Sequence, residues 1–468
     1  MAPAQSSIPA PARPSPTLPE ISSTCLSLPP SKCLYPDRQP TPPDRQTKLI
    51  LIANNTNPRI FLSAGEASGD HYGAEIITEL RNRIPAASFT GLGGTGMADA
   101  GLERIVRAED VAHMGLTEVI RHAAFIHSQY RALVAVIKHS PPDLAIFIDF
   151  PDVNFRLAMH CKRLGVPVLW FVSPQLWAWK RRRLRWVQRF VDRMLVIFPF
   201  EAEFYRARGV NAEFVGHPLA TLPLSTQTRE NFAVVNMFSN PGVPKSSSHL
   251  HRPWIGLLPG SRWKEVTANL PLMLEAAALL GPGYDFLIPV ANTLTTGIVS
   301  DFVFKELLPG IKWPDGSSIT LVPDAREVLH HARASIVASG TATVQALTIG
   351  NPFVVVYRVS ALTFTIAKHM IRYPEEIPAQ RDADGNLPIA MPNLIAGRRI
   401  VPELLNKRFT AANLAAALRP LLDDTPVRAQ MIADLAEARA KLLPSPNSNP
   451  IQRVCDVAET LLRTSRPE

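Results

Sequence analysis

Cysteine is scarce in this chain of 468 residues: Cys25, Cys33, Cys161 and Cys455 stand far apart, with no CxxC or Cys/His spacing of a zinc site. Their scatter excludes a disulfide framework and points to a reducing compartment. The chain also lacks any run of about 18 uninterrupted apolar residues, so no spanning helix is expected. Its first residues lack the basic start and apolar core of a secretory leader. The expectation is a cytoplasmic protein whose contact with a membrane is peripheral. No Ser-His-Asp arrangement can be read from the histidine spacing. His217 follows a strand, and His330 and His331 fall in a helical pattern expected at the surface. Acidic residues are outnumbered, 40 against 49 basic ones, and the net charge of +9 suits an anionic partner: phosphate, nucleic acid or acidic lipid.

Apolar residues make up 46% of the chain and charged residues 19%, which predicts folded α/β structure rather than wholesale disorder. Residues 1–57 read as a disordered, Pro-rich tail and lead-in, with 12 of the 44 prolines before residue 46. Apolar strand, small-residue loop and helix then recur, first over 58–225 and again over 253–400. This alternation predicts parallel sheets with helices on both faces. The turn-rich residues 226–252 read as a linker or insertion, and 401–468 as closing helices. The predicted fold is therefore two Rossmann-like, doubly wound α/β domains facing each other across a cleft. Ligands of open α/β sheets bind at the carboxyl ends of the strands.

Candidate chemistry falls at such strand ends. In "IFIDFPDVN" Asp149 ends an apolar strand, where a partly desolvated carboxylate makes a general base. A helix cap is the competing role, better suited to Asp152. Glu66 stands in the small-residue loop "AGEASGD", where a bulky ligand can approach the backbone; Asp70 reads as exposed or capping. In the second half, Ser339, Gly340 and Thr341 lie between a strand and a helix start, suited to an anion or simply to capping. "LPGSR" offers Ser261 and Arg262 beside Gly260, and the Arg262 guanidinium suits phosphate. Together the two loops favour a nucleotide-diphosphate site. Asn393 suits a hydrogen bond to sugar or phosphate, and equally suits a turn.

The stretch "WAWKRRRLRWVQRF", Trp177 to Phe190, interleaves three tryptophans with six basic residues. At about 100° per residue, Arg181, Arg182, Arg185, Arg189 and Arg193 share one side of a helix. Leu184, Val187, Phe190, Val191 and Met194 share the other. This predicts an amphipathic helix with a basic face. That face suits acidic lipid headgroups or a substrate phosphate, with Trp177, Trp179 and Trp186 at the interface. Nucleic acid fits the composition, but no nucleic-acid motif accompanies it. A solvated charged face is the plain alternative.

Eight motifs occur in order: "SAGEASGDHYGAEII", "IDFPDVNFRLA", "SPQLWAWKRRR", "FPFEAEFY", "GHPLA", "LLPGSRWKEV", "SGTATVQAL" and "PNLIAGRRIVPELL". Over roughly 58–410 the chain thereby resembles the lipid-A-disaccharide synthase family. The resemblance implies an inverting glycosyltransferase of the two-Rossmann-domain (GT-B) type. Its donor would be UDP-2,3-diacylglucosamine and its acceptor the 6-hydroxyl of 2,3-diacylglucosamine 1-phosphate. The β-1,6-linked lipid A disaccharide 1-phosphate and UDP are the products. The resemblance also implies no metal or other cofactor, no nucleic-acid partner, a homodimer and work at the cytoplasmic face of the inner membrane. It implies that Asp149 is the base and that Glu66 is an essential residue facing the cleft. Ser261, Arg262, Ser339, Gly340, Thr341, Gln345 and Asn393 would hold UDP.

The chain departs from the family pattern at Gln345, where the family usually carries a glutamate. It departs again at Glu375 to Met391, a longer segment than expected. The additions at 1–45 and 226–252 are further departures. A different UDP-sugar transferase or epimerase of the same fold is the main competing reading. A non-enzymatic binder that uses the basic stripe is the other.

Overall fold

The structure is a computed structural model that describes residues 57–112, 123–179, 181–236, 251–359, 373–377, 379–382 and 384–464. The expected tail, over 1–56, and most of the expected linker, over 237–250, lie outside the described residues, as do Cys25 and Cys33.

Short apolar runs form the strands. β1 (Arg59–Ala64), β4 (Leu144–Ile148) and β5 (Val168–Phe171) are buried almost throughout, so helices cover both of their faces. That double burial is the usual setting of a parallel sheet. With β2 (Ser88–Gly93), β3 (Glu103–Arg107), β6 (Arg193–Val196) and β7 (Ala212–Phe214) they build a seven-stranded sheet in the order β3-β2-β1-β4-β5-β6-β7. A second sheet contains β8 (Trp254–Leu258), β9 (Asp285–Pro289), β10 (Ile319–Val322), β11 (Ala334–Ala338), β12 (Phe353–Tyr357) and β13 (Glu403–Leu405). Its order is β10-β9-β8-β11-β12-β13. Neighbouring strands in both sheets run parallel.

Each sheet reverses its winding once, between β1 and β4 and again between β8 and β11. At these switch points the flanking loops diverge to opposite faces and leave a crevice at the carboxyl edge. The loops concerned carry Glu66, Asp149, Ser261–Arg262 and Ser339–Thr341, so four separate sequence candidates belong to two crevices.

The closing segment is shared between the sheets. β13 pairs with β12 and carries the second sheet past residue 400. The last helix, Pro450–Thr464, returns to pack on the helix Ala67–Arg83 of the first half. Arg83 bridges Asp456 (2.7 Å) and Glu459 (3.1 Å), and Arg453 reaches Glu213 (2.6 Å). Cys455 is buried there and, like the buried Cys161, is a free thiol.

The basic stripe is shorter than its periodicity predicts. A 3-10 turn covers Arg181–Arg183 and an α-helix covers Leu184–Phe190, after which the chain enters β6. Arg193 and Met194 are strand residues, not the next helical turn. Asp192 ends the helix by tertiary contact: its carboxylate accepts from Val168 N (2.8 Å) and Lys162 Nζ (2.6 Å).

Candidate active site

One cavity of about 790 Å³ opens between the two sheets and draws its lining from both. Glu66, Asp149 and the loop Val172–Trp179 come from the first half. Ser339–Thr341, Tyr373 and the segment Arg381–Met391 come from the second. Many lining side chains are apolar, including Leu176, Phe198, Val344, Leu387, Ile389 and Met391.

Asp149 follows β4 directly, and Ile148 pairs in register with Ala64, so Glu66 is placed beside it. The turn is tight. Asp149 and the following Phe150 both adopt left-handed backbone (φ 45° and 49°). Such conformations cost of order 1–3 kcal/mol each and persist only where surrounding contacts impose them. Asn154, fully buried, supplies those contacts. Its amide donates to Asp149 O (2.7 Å) and Ser63 O (3.2 Å), and its carbonyl accepts from Ser63 Oγ (2.6 Å). The Phe150 ring lies over Gly65, and a Cβ at that glycine would strike the ring. Pro151 then starts the next helix, where its missing N–H costs nothing. The cap there is Phe150, so neither Asp149 nor Asp152 caps through its side chain. Asp152 instead pairs with Arg183.

Burial first, and then the Glu66 charge, raise the Asp149 carboxyl from 3.8 to about 7, against a backbone hydrogen bond at Phe150. A carboxylate poised there is half protonated near neutrality, where a general base works best. Glu66→Gln removes the neighbouring negative charge and is therefore expected to lower the Asp149 pKa. The acid limb of the kcat/KM profile then moves to lower pH than in the wild type. An unmoved limb would mean that Asp149 and Glu66 do not interact.

Across the cleft, Gly340 (φ 146°) precedes the helix Thr341–Ile349. That conformation suits glycine, and a Cβ there would meet nothing within 4 Å, so a ligand has open access to the backbone. The first N–H groups of the helix point at this space, where its dipole favours an anion. Arg262 stands at the rim with its side chain 71% exposed, 3.4 Å from Glu265 and 3.9 Å from Glu66. The latter contact joins the two halves across the cleft mouth. Ser261 N donates to Glu265 Oε2 (3.1 Å), and neither Ser261 nor Arg262 is in the cavity wall.

Three more expected site residues are placed otherwise than their expected roles require. Asn393 is 1% exposed and its amide is fully used: Nδ2 donates to Val401 O (3.0 Å) and Glu403 (2.8 Å), while Oδ1 accepts from Ile400 N (2.7 Å) and Val401 N (3.0 Å). No capacity remains for a sugar or phosphate, so its role is to hold a turn. Gln345 is one turn into its helix and outside the cavity wall. Trp177 is 1% exposed, so it cannot meet a lipid surface. Its indole packs against Phe200 and Tyr373 and donates to Glu201 (3.1 Å). Trp179 remains 49% exposed at the cavity.

Glu201 is the residue that motif reading passed over. Wholly buried, it accepts from Ser173 Oγ (2.8 Å), Trp177 Nε1 (3.1 Å) and Phe198 N (3.2 Å). Burial raises its carboxyl to about 7 against those hydrogen bonds. It binds "FPFEAEFY" to "SPQLWAW" and so shapes one cavity wall. His217, also in the wall, is buried and pushed down to about 3, so it is neutral and accepts from Leu219 N (3.2 Å). Asp70 accepts from Gly94, Gly96 and Met97 N–H groups and caps the helix Thr95–Asp99 from a neighbouring element. His331 is not at the surface: its side chain is 7% exposed and packs on Phe232 and Trp254.

Two doubly wound parallel sheets share one cleft here. One side brings a desolvated carboxylate and the other a helix N-terminus open to an anion. This is the design of a GT-B glycosyltransferase. Solved structures share the fold: the calicheamicin glycosyltransferase CalG4 (TM-score 0.53, 15% identity, covering 88% of this chain and 100% of that one) is one. An S. aureus MnaA–UDP co-structure is another (TM-score 0.54, 11% identity, covering 88% and 99%). A family model described as lipid-A-disaccharide synthetase matches residues 60–448. The lipid-A-disaccharide synthase of Acidobacterium capsulatum is 51% identical over 415 residues, 87% of this chain and 97% of that one. Its counterpart in Koribacter versatilis is 43% identical over 385 residues, 82% and 93%. The chain belongs to the lipid-A-disaccharide synthase family. It is a glycosyltransferase that forms the lipid A disaccharide, using a nucleotide-sugar donor and an acceptor. Among the described residues no helix is long and apolar enough to cross a membrane.

Proposed function

We propose that the enzyme transfers 2,3-diacylglucosamine from its UDP conjugate to the 6-hydroxyl of 2,3-diacylglucosamine 1-phosphate with inversion, and that Asp149 is the base. The observation that carries this reading is the Asp149 carboxyl, raised to about 7 at the wall of the cleft. The acceptor hydroxyl gives its proton to the Asp149 carboxylate as its oxygen attacks the anomeric carbon. The bond from that carbon to the diphosphate breaks, and UDP leaves with the electron pair from the opposite face, which inverts the centre. Backbone N–H groups after Gly340, with Ser339, Thr341 and Arg262, would receive the diphosphate charge, and no metal is invoked. The apolar side chains of the cavity suit acyl chains. The purified enzyme given both substrates should yield the disaccharide 1-phosphate and UDP. Failure to form it would refute the substrate assignment.

Access to lipid substrates is the task proposed for the basic stripe. Arg185, Trp186 and Arg189 border an outer groove of about 580 Å³ together with Met159, Lys162, Arg163 and Phe190, cations around an apolar floor. Trp186 is half-buried against Phe155 and Phe190. Arg181, Arg182, Trp179, Trp186, Arg185 and Arg189 together suit the anionic cytoplasmic leaflet of the inner membrane. Each cation near such a surface contributes about 1 kcal/mol. Replacing Arg181, Arg182, Arg185 and Arg189 by serine is expected to weaken binding to vesicles containing anionic phospholipid at least about tenfold. Unchanged vesicle binding and turnover would make the stripe an ordinary solvated face.

A further inference from the structure

The cleft must receive substrates that carry phosphate, yet its wall is rich in carboxylates. Glu66, Asp149, Asp152 and Glu201 line it, against the two arginines Arg183 and Arg381. Arg183 is neutralised by Asp152. Arg381 is different: its side chain donates to Gly385 O (2.7 Å), and it has no carboxylate partner among the described residues. A guanidinium carries five donors in a planar fork, so most of its donors remain for a ligand.

Arg381 stands in the segment Glu375–Met391, where the chain is longer than its family resemblance implies. That segment is a built structure. The Asp382 carboxylate accepts from Asp384 N (3.0 Å), Asn386 N (2.7 Å) and Asn386 Nδ2 (3.2 Å), which closes a tight turn. Arg399 Nη2 donates to Asn386 O (2.9 Å), and Arg408 reaches Asp384 (3.2 Å). Glu403 accepts from Ala390 N (2.9 Å). Asp382 lies 3.9 Å from Arg399 and 3.8 Å from Arg408, and Asp384 pairs with Arg408, so Arg381 is left to the cavity. The preceding stretch crosses to the first half. Tyr373 packs on Trp177 with ring centroids 5.3 Å apart and donates to Pro388 O (2.8 Å), and Glu376 pairs with Arg208 (2.9 Å). The segment is therefore tied to the first-domain wall formed by Ser173–Trp179.

We propose that Arg381 binds the phosphate monoester of the acceptor and selects a phosphorylated acceptor over its unphosphorylated counterpart. Three observations carry this: Arg381 lines the cavity with no carboxylate partner among the described residues, the turn around Asp382 fixes its backbone, and the segment is docked on the first-domain side. The diphosphate has its own receiving site at the helix after Gly340. A guanidinium held by its backbone meets a phosphate oxygen pair with two parallel hydrogen bonds. This inference rests on the acceptor assignment made above.

The test compares wild type, Arg381→Gln and Arg381→Lys on 2,3-diacylglucosamine 1-phosphate and on 2,3-diacylglucosamine, with UDP-2,3-diacylglucosamine as donor. Arg381→Gln is expected to raise KM for the phosphorylated acceptor about 10- to 100-fold, the usual loss for a hydrogen bond to a charged group. It should leave KM for the donor and the affinity for UDP unchanged, and erase most of the preference for the phosphorylated acceptor. Arg381→Lys, which keeps the charge but not the fork, should recover part of the loss. An unchanged acceptor KM, equal defects in both variants, or a rise in donor KM with weaker UDP binding would each overturn the proposal. If the wild type itself forms no disaccharide, the acceptor assignment fails instead. Wild-type turnover that Arg381→Gln leaves unaltered fails this inference alone.

Discussion

Asp149→Asn is expected to lower kcat by about 10²- to 10⁴-fold, the range that a positioned general base supplies. Asparagine matches the carboxylate in shape but takes no proton. The surrounding scaffold does not depend on the side-chain charge, because Asn154 binds the Asp149 backbone carbonyl and Phe171 O accepts the Asp149 N–H. The defect should therefore lie in kcat with the fold retained. In the wild type, kcat/KM should fall as pH drops below about 7, since the proposed base must be ionised and its carboxyl is raised to about 7. The variant should lose this limb.

Stability should move the opposite way. The folded Asp149 pKa lies above the unfolded value of 3.8. Stability is thus lost as pH rises from the unfolded to the folded pKa, and the penalty of ionising a buried carboxyl is complete above about 7. Asparagine never ionises. Asp149→Asn should melt higher than wild type at pH 8, with the gain vanishing towards pH 4. A variant that is inactive and less stable at pH 8 would mark Asp149 as structural.

The second large effect is expected at Asn393. Truncation to alanine leaves the N–H groups of Ile400 and Val401 without their side-chain acceptor and takes one of its donors from Glu403, all in a buried site. Each unsatisfied buried group costs about 1–3 kcal/mol. With partial relaxation, Asn393→Ala should lose about 3 kcal/mol of unfolding free energy, read from denaturant titration. The turn that it holds carries Met391 and Ile389 into the cavity, so activity per molecule falls with the folded fraction. Donor KM, measured on folded enzyme, should stay near the wild-type value. A tenfold rise in donor KM with unchanged stability would restore the ligand role that the motif implies.

The contrast between Asp149 and Asn393 shows what kind of site residue can be read from sequence. Asp149 ends a run of five apolar residues that must be a strand covered on both faces. The first polar residue after such a strand lands at the carboxyl edge, whatever the rest of the fold does. Glu66, Ser339 and Gly340 follow the same rule. Asn393 also stands at a chain break in an apolar context, but its partners are seven to ten residues on, in a turn whose direction no local pattern announces. Trp177 misled for a similar reason. Three tryptophans among arginines look like one surface, yet Trp177 faces Glu201, 24 residues away, and of the three only Trp179 stays exposed.

The amino-acid sequence by itself determined the two α/β halves, because doubly buried strands need continuous apolar runs and crossover helices need amphipathic ones. It also determined that the glycines and small residues at the strand ends would leave backbone open to a ligand. Only the tertiary structure decided which side of each candidate meets the cleft. Burial and the neighbouring Glu66 set Asp149 near neutrality. Hydrogen bonds across the chain used up Asn393 and hid Trp177. The turn closed by Asp382 freed Arg381 for the cavity. Local pattern sets which elements form, since propensity and burial act residue by residue. The charge state and partner of each polar side chain depend on residues far away in the chain, and only packing brings those together.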